Sequence, residues 1–232
     1  EIRDLTAHYG DFQALFGIDL TLAQGQTLVV IGANGAGKTT LMRAITGIAR
    51  VSAGQIVLNG TRLDTRAAPD ILRAGVAMVP EGRRLFPSLT VEENLRIGAD
   101  ARRGNGAWTL DGIFELFPIL RDRRSHPGTA LSGGQQQMVA IGRALMSNPE
   151  VLLCDELSLG LAPVVIKEIY DAFPAIRARG TSLIVVEQDI GQALRVADTV
   201  HCMMEGRITL SGRPDDLSRD AIHDAYFGVT QG

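Results

Sequence analysis

Apolar positions in the chain cluster into short runs separated by longer mixed stretches. Near the N-terminus the pattern alternates, as in Ile18-Asp19-Leu20-Thr21-Leu22, and stops at the turn-forming Ala23-Gln24-Gly25-Gln26. Alternation with period two predicts half-buried strands, so residues 1–31 read as an antiparallel β layer. Thr27-Leu28-Val29-Val30-Ile31 is continuously apolar or β-branched, the pattern of a strand covered on both faces. A strand and turn at 54–60 and a charged linker with a short helix to Ala74 follow. Then comes a short strand, Val76-Ala77-Met78-Val79, broken by Pro80-Glu81-Gly82.

Between residues 85 and 148 the period changes to that of helices. Thr90, followed by Glu92 and Glu93, supplies an N-cap and an acidic first turn, predicting a helix through about Ala101. Beyond a flexible loop, Arg102-Arg103-Gly104-Asn105-Gly106, a second helix is predicted over 109–117. A third runs from Gly133 to Met146, stopping before Asn148-Pro149. Strand patterns then return. Val151-Leu152-Leu153-Cys154 ends in Asp155-Glu156, and Ser182-Leu183-Ile184-Val185-Val186 ends in Glu187-Gln188-Asp189. Between them a single helix is predicted over 163–179, with Pro163 in its first turn. Two strands, 199–204 and 207–210, flank the turn Glu205-Gly206, and short helices close the chain. Strands alternating with helices predict an α/β fold with a mostly parallel sheet and right-handed crossovers. The expected organisation is one domain over 1–232. Residues 1–84 and 149–232 would form a core with its β layer, and 85–148 a helical subdomain.

Composition narrows the classes. At 232 residues and 45% hydrophobic, the chain can bury a substantial core. A net charge of -3 gives no global reason to expect a nucleic-acid partner. No apolar run is long enough to span a membrane. The charged start, Glu1-Ile2-Arg3-Asp4, lacks the apolar stretch of a signal peptide, and the absence of a leading Met leads us to expect residues upstream. Cys154 and Cys202, both in apolar runs, read as core thiols in a reducing compartment.

The candidate chemistry centres on Gly32-Ala33-Asn34-Gly35-Ala36-Gly37-Lys38-Thr39-Thr40. It fits the P-loop pattern G-x-x-x-x-G-K followed by Ser or Thr, between a buried strand and a helix. In that context the loop N–H groups converge on phosphate oxygens at a helix N-terminus. Lys38 is then expected at the β- and γ-phosphates, and the Thr39 hydroxyl on Mg²⁺. Asp155 and Glu156 follow a buried strand, where adjacent acids are costly unless they have a function. In open α/β sheets ligands gather at the carboxyl ends of strands. Gly32, Asp155 and Gln188 should therefore share one edge, with Asp155 near Mg²⁺ and Glu156 as general base for a water. Leu131-Ser132-Gly133-Gly134-Gln135 opens a helix and reads either as a second anion-binding N-terminus or as a plain capped helix start.

LSGGQ within a helical insert, between a P-loop and a strand ending in Asp-Glu, resembles the ATPase subunit of an ABC transporter. The resemblance covers the whole chain and implies a P-loop NTPase core that binds ATP and Mg²⁺. It places Tyr9 as the adenine-stacking aromatic and Glu81 at the metal-ligating Q-loop position. Residues 131–135 become the signature that caps ATP on a second subunit, Ser158-Leu159-Gly160-Leu161-Ala162 the D-loop, and Gln188 the switch-histidine position. Within the family, Val79-Pro80-Glu81-Gly82-Arg83-Arg84-Leu85-Phe86-Pro87, the Val-Glu-Gln around Gln188 and a terminal Ala225-Tyr226-Phe227-Gly228 resemble the LivF type of branched-chain amino-acid importers. Urea and amide importers rank second. That resemblance implies a peripheral location on the cytoplasmic face of the inner membrane. It also implies a LivG-like second ATPase or a head-to-tail copy of the same chain, transmembrane permease subunits and, indirectly, a periplasmic binding protein. ATPases of the same family that act on DNA or ribosomes carry coiled-coil arms or two such domains in one chain, which this sequence lacks. Three departures stand out: Glu81 for the usual Gln, Gln188 for the usual His, and Leu157 for the usual Pro before the D-loop.

Overall fold

The computed structural model describes residues 1–101 and 106–228, so the loop expected at 102–106 lies almost wholly outside the described residues. A hairpin of β1 (Ile2–Tyr9) and β2 (Phe12–Leu20) opens the chain, and β3 (Thr27–Ile31) leads through the glycine loop into α1 (Lys38–Ile45). β4 (Arg50–Leu58), β5 (Thr61–Arg62), α2 (Ala68–Ala74) and β6 (Val76–Val79) follow. Four helices come next: α3 (Val91–Gly98), α4 (Leu110–Leu116), α5 (Pro118–Asp122) and α6 (Gly133–Leu145). The chain then returns to strands with β7 (Val151–Asp155), α7 (Pro163–Asp171), α8 (Phe173–Ala178) and β8 (Ser182–Glu187). It closes with α9 (Ile190–Val196), β9 (Thr199–Met204), β10 (Arg207–Gly212) and α10 (Arg219–Phe227).

Two sheets form. The antiparallel one runs β2-β1-β4-β5, and the larger one runs β10-β9-β3-β8-β7-β6. In the larger sheet only the β9–β10 hairpin is antiparallel. Its two-residue turn uses Glu205 and Gly206 at φ 47° and 74°, the left-handed pair that such hairpins require. Alternate residues of the central strands enter different cores, as a sheet covered on both faces demands. Leu28 and Val30 of β3 and Val186 of β8 pack with the hairpin and α1, while Val29, Ile31 and Val185 pack toward the inserted helices. Leu157 is 1% exposed and joins the second of these cores. Among the described residues, no helix is long and apolar enough to cross a membrane.

The expected helices at 91–101 and 133–146 appear with their caps. Thr90 accepts from the Glu93 N–H while Glu93 accepts from the Thr90 N–H, and Ser132 and Gln135 repeat the arrangement at α6. One expectation needs correction. The helix expected over 163–179 is broken into α7 and α8, because Pro174, in the first turn of α8, has no N–H to donate back to Tyr170. The helix expected over 109–117 forms as α4 between its caps Thr109 and Phe117; Phe117 precedes a proline and adopts φ -130° and ψ 82°, and Pro118 starts the separate helix α5.

The crossing of α3 over α6 makes a direct test of this packing. A Cβ on Gly98 would stand 1.8 Å from the Arg143 carbonyl oxygen and 3.1 Å from Met146 Cβ. Gly98→Ala is expected to destabilise the protein by about 2–3 kcal/mol, the usual cost of forced overpacking. The melting temperature, followed by circular dichroism, should fall by roughly 5–10 °C. An unchanged melting temperature would mean that the helices do not cross at this contact.

Candidate active site

The glycine loop begins where β3 ends. A Cβ at Gly32 would lie 2.3 Å from the Met203 carbonyl oxygen, so only glycine lets the loop pass this close to β9. Gly37, at φ 105°, turns the chain into α1, whose first turn has neither an acidic residue nor a side-chain cap. The N–H groups there are left for an incoming anion. Lys38 is 4% exposed. Its ammonium donates to the carbonyls of Gly32 at 2.8 Å and Ala33 at 3.0 Å, and lies 3.6 Å from Glu156 Oε1.

Strand register brings the acids to this loop. Ile31 pairs with Glu187, and Asp155 pairs with Val186, so the ends of β3, β8 and β7 stand side by side. Glu156 follows β7 at φ 49°, and its Oε2 accepts from Gln188 Nε2 at 2.8 Å. Lys38, Glu156 and Gln188 thus meet around one carboxylate. They line a cleft of about 1000 Å³ together with Asn34, Gly35, Gly37, Thr39 and Thr40. Tyr9 and Glu81 border the same cleft. Tyr9 is 62% exposed, and the Arg43 guanidinium sits 5.6 Å from its ring centroid.

Asp155 faces an adjoining cavity of about 610 Å³, shared with Thr39 and Glu81. Burial and the neighbouring Glu156 and Glu81 carboxylates push Asp155 up to about 6. Its Oδ1 is buried with no hydrogen-bond partner. An orphaned carboxylate oxygen beside a hydroxyl and a second carboxylate fits a hard, oxygen-seeking cation that keeps several waters, as Mg²⁺ does. Among the described residues, no group of three or more His, Cys, Asp or Glu that could hold a metal forms.

Leu131, Ser132, Gly133, Gly134 and Gln135, expected to be the signature, are not among the residues lining either cavity. They form the start of α6 on the inserted helices, with Ser132 exposed and Gly134 buried. A Cβ on Gly134 would stand 2.3 Å from Val165 Cγ1, so this glycine is fixed by packing against α7 as well as by any ligand. The geometry therefore contains one complete loop-and-carboxylate site and one exposed helix start apart from it. Sequence reasoning did not single out Phe16 and Arg207. The two line the cleft, with the guanidinium 4.8 Å from the ring centroid. Neither belongs to a motif, and only the β2–β10 neighbourhood brings them to the site.

Comparison with known proteins agrees with this geometry. Residues 15–158 match the family described as ABC transporter. The chain is 40% identical, across 97% of both chains, to the high-affinity branched-chain amino acid transport ATP-binding protein BraG of Pseudomonas aeruginosa. It is 32% identical to a probable branched-chain amino acid transport ATP-binding protein, LivF, of Archaeoglobus fulgidus, over 92% of this chain and 91% of that one. The crystal structure of an ATP-binding cassette of an ABC transporter in its ADP conformation superposes with a TM-score of 0.82 at 26% identity, covering 98% of each chain. A matched span that includes the glycine loop and both acids, and relatives that match end to end, agree with what the strand register assembles: this chain belongs to the ABC transporter family, as one of the ATP-binding subunits whose ATPase activity powers transport.

Proposed function

We propose that the chain hydrolyses ATP to drive a branched-chain amino-acid importer, as a peripheral subunit on the cytoplasmic face of the inner membrane. Its partners there would be transmembrane permease subunits and a second ATPase, either LivG-like or another copy of itself in head-to-tail arrangement. A periplasmic binding protein would deliver the solute. The observation that carries the solute class is the end-to-end 40% identity to BraG. The helical stretch 85–148, with its exposed signature, would be the subdomain that meets the second ATPase, and 1–84 with 149–232 the part that holds ATP.

The chemistry follows from the side chains. The triphosphate would lie along Gly32 to Thr40 with its charge at the uncapped start of α1. Lys38, now held by two loop carbonyls and Glu156, would turn to the β- and γ-phosphates. Thr39, Asp155 and Glu81 would hold Mg²⁺, which would supply positive charge to offset the negative charge that develops on the phosphates. Glu156 would accept a proton from the attacking water while the β–γ bond breaks, leaving ADP and phosphate. Gln188, neutral and a hydrogen-bond donor, would orient Glu156 and donate to a γ-phosphate oxygen. Tyr9, exposed at the mouth, would stack on adenine. Ser132 and the glycines after it would close over ATP held by the partner.

Three measurements test this reading. Lys38→Ala should weaken binding of a fluorescent ATP analogue by roughly 10- to 100-fold through loss of a charge-assisted contact. Normal affinity would remove the loop as the phosphate site. Glu156→Gln should bind ATP as before yet hydrolyse it about 10²- to 10⁴-fold more slowly. The closed dimer should then persist on size exclusion with ATP and Mg²⁺, and wild-type turnover would show that Glu156 is not the base. In the reconstituted transporter, binding protein loaded with leucine, isoleucine or valine should stimulate ATP hydrolysis. Stimulation by urea- or amide-loaded binding protein instead would move the chain to that class of importer.

A further inference from the structure

Glu187, the last residue of β8, is 1% exposed, and no step above uses it. A buried carboxylate is costly unless its oxygens are satisfied. Here Oε1 accepts from the Tyr170 hydroxyl and from the Ser158 backbone N–H, the latter at 3.2 Å. Oε2 accepts from the Ser158 hydroxyl at 2.7 Å. Burial and the Glu187 charge push the Tyr170 phenol far up, so it stays a neutral donor. One carboxylate thus ties together the end of β8, helix α7 and the loop two residues beyond Glu156.

That loop needs holding. Glu156 is a non-glycine residue at φ 49°, a left-handed conformation that persists only where its surroundings determine it. The β7–β8 ladder ends at the pair Asp155 and Val186. Past that point three ties continue the pairing. Glu156 N donates to the Val186 carbonyl at 3.0 Å, Ser158 donates twice to Glu187, and Gln188 Nε2 donates to Glu156 Oε2 at 2.8 Å. The middle tie is anchored outside the two segments through Tyr170, as the third is through Lys38 on Glu156.

We propose that Glu187 is a positioning residue for ATP hydrolysis. By gripping Ser158 and Tyr170 it fixes the left-handed turn at Glu156 and keeps that carboxylate in contact with Gln188. The proposal rests on the reading of Glu156 as the base. Tyr170 acquires a role as well. Helix α7 carries the Val165 that packs on Gly134, so Glu187 joins the helix beneath the signature to the loop that carries the base.

The test uses Glu187→Gln, whose amide nitrogen cannot accept from Ser158, and Tyr170→Phe, which removes one donor and leaves the charge. In both variants the kcat for ATP should fall roughly 10- to 100-fold, the effect of a small misplacement of a catalytic group. KM for ATP should stay near wild type, while the melting temperature falls by a few degrees because a buried hydrogen bond is lost. Amide hydrogen exchange should quicken at residues 156–161 and stay unchanged in β3. Adding Glu187→Gln to Gln188→Ala should cost little beyond Gln188→Ala alone, since the contact of Glu156 with Gln188 that Glu187 maintains is already lost. If Glu187→Gln does not fold, Tyr170→Phe carries the test with the same readouts. Unchanged exchange at 156–161, or exchange that quickens equally throughout the chain, overturns the proposal. A normal rate in Glu156→Gln together with local loosening in Glu187→Gln would mean that the base is misassigned while the positioning of the turn stands.

Discussion

The structure turns on a buried positive charge. Lys38 is withdrawn from water, and a lone ammonium there would be prohibitive without partners. Two loop carbonyls and Glu156 supply them. Those carbonyls converge because Gly32 and Gly37 let the loop curl beneath β9 and into α1. Glu156 arrives because β7 lies beside β8, and β8 beside β3. The ammonium and the carboxylate therefore compensate each other; in the proposed function a triphosphate would take over Lys38 and free Glu156.

Scaffold rigidity serves this arrangement. The central strands are covered on both faces, by the β1–β2 hairpin and α1 on one side and by the inserted helices on the other. A sheet so held cannot slip register, because a one-residue shift would exchange its two faces. The mutually repelling acids lie at its end, where Asp155 is raised by burial and by its neighbours and keeps one oxygen unsatisfied. Electrostatic strain is thus confined to the place where ligand charge can relieve it.

The inserted helices are tied to the core by polar clamps as well as by packing. Arg143 of α6 donates to the carbonyls of Arg83 and Arg84, which follow Gly82 in a run of left-handed residues. Within the inserted segment itself, Asn94, fully buried, bonds to the backbone of Phe86, Leu89 and Thr90 and holds the loop that leads into α3. The segment carrying Glu81 is therefore attached at its far end to α6, so the cleft and the start of α6 are mechanically joined though spatially separate.

Much of this was legible in the residues. The apolar run before Gly32, the glycine spacing, the Asp-Glu after an apolar strand and the Ser132 cap are local signals, because each depends on contacts within a few residues. The helix break at Pro174 was local too, but the apolar periodicity on either side hid it. What only the tertiary structure decided is which strand ends become neighbours. Glu187 looked like the polar end of a buried run, and its grip on Ser158 and Tyr170 exists only because α7 folds back over β8. Likewise Arg207 and Phe16 reach the cleft from opposite ends of the chain. Sequence pattern fixes what each segment wants to bury, whereas the pairing of segments far apart in the chain is settled by the packing of the whole core.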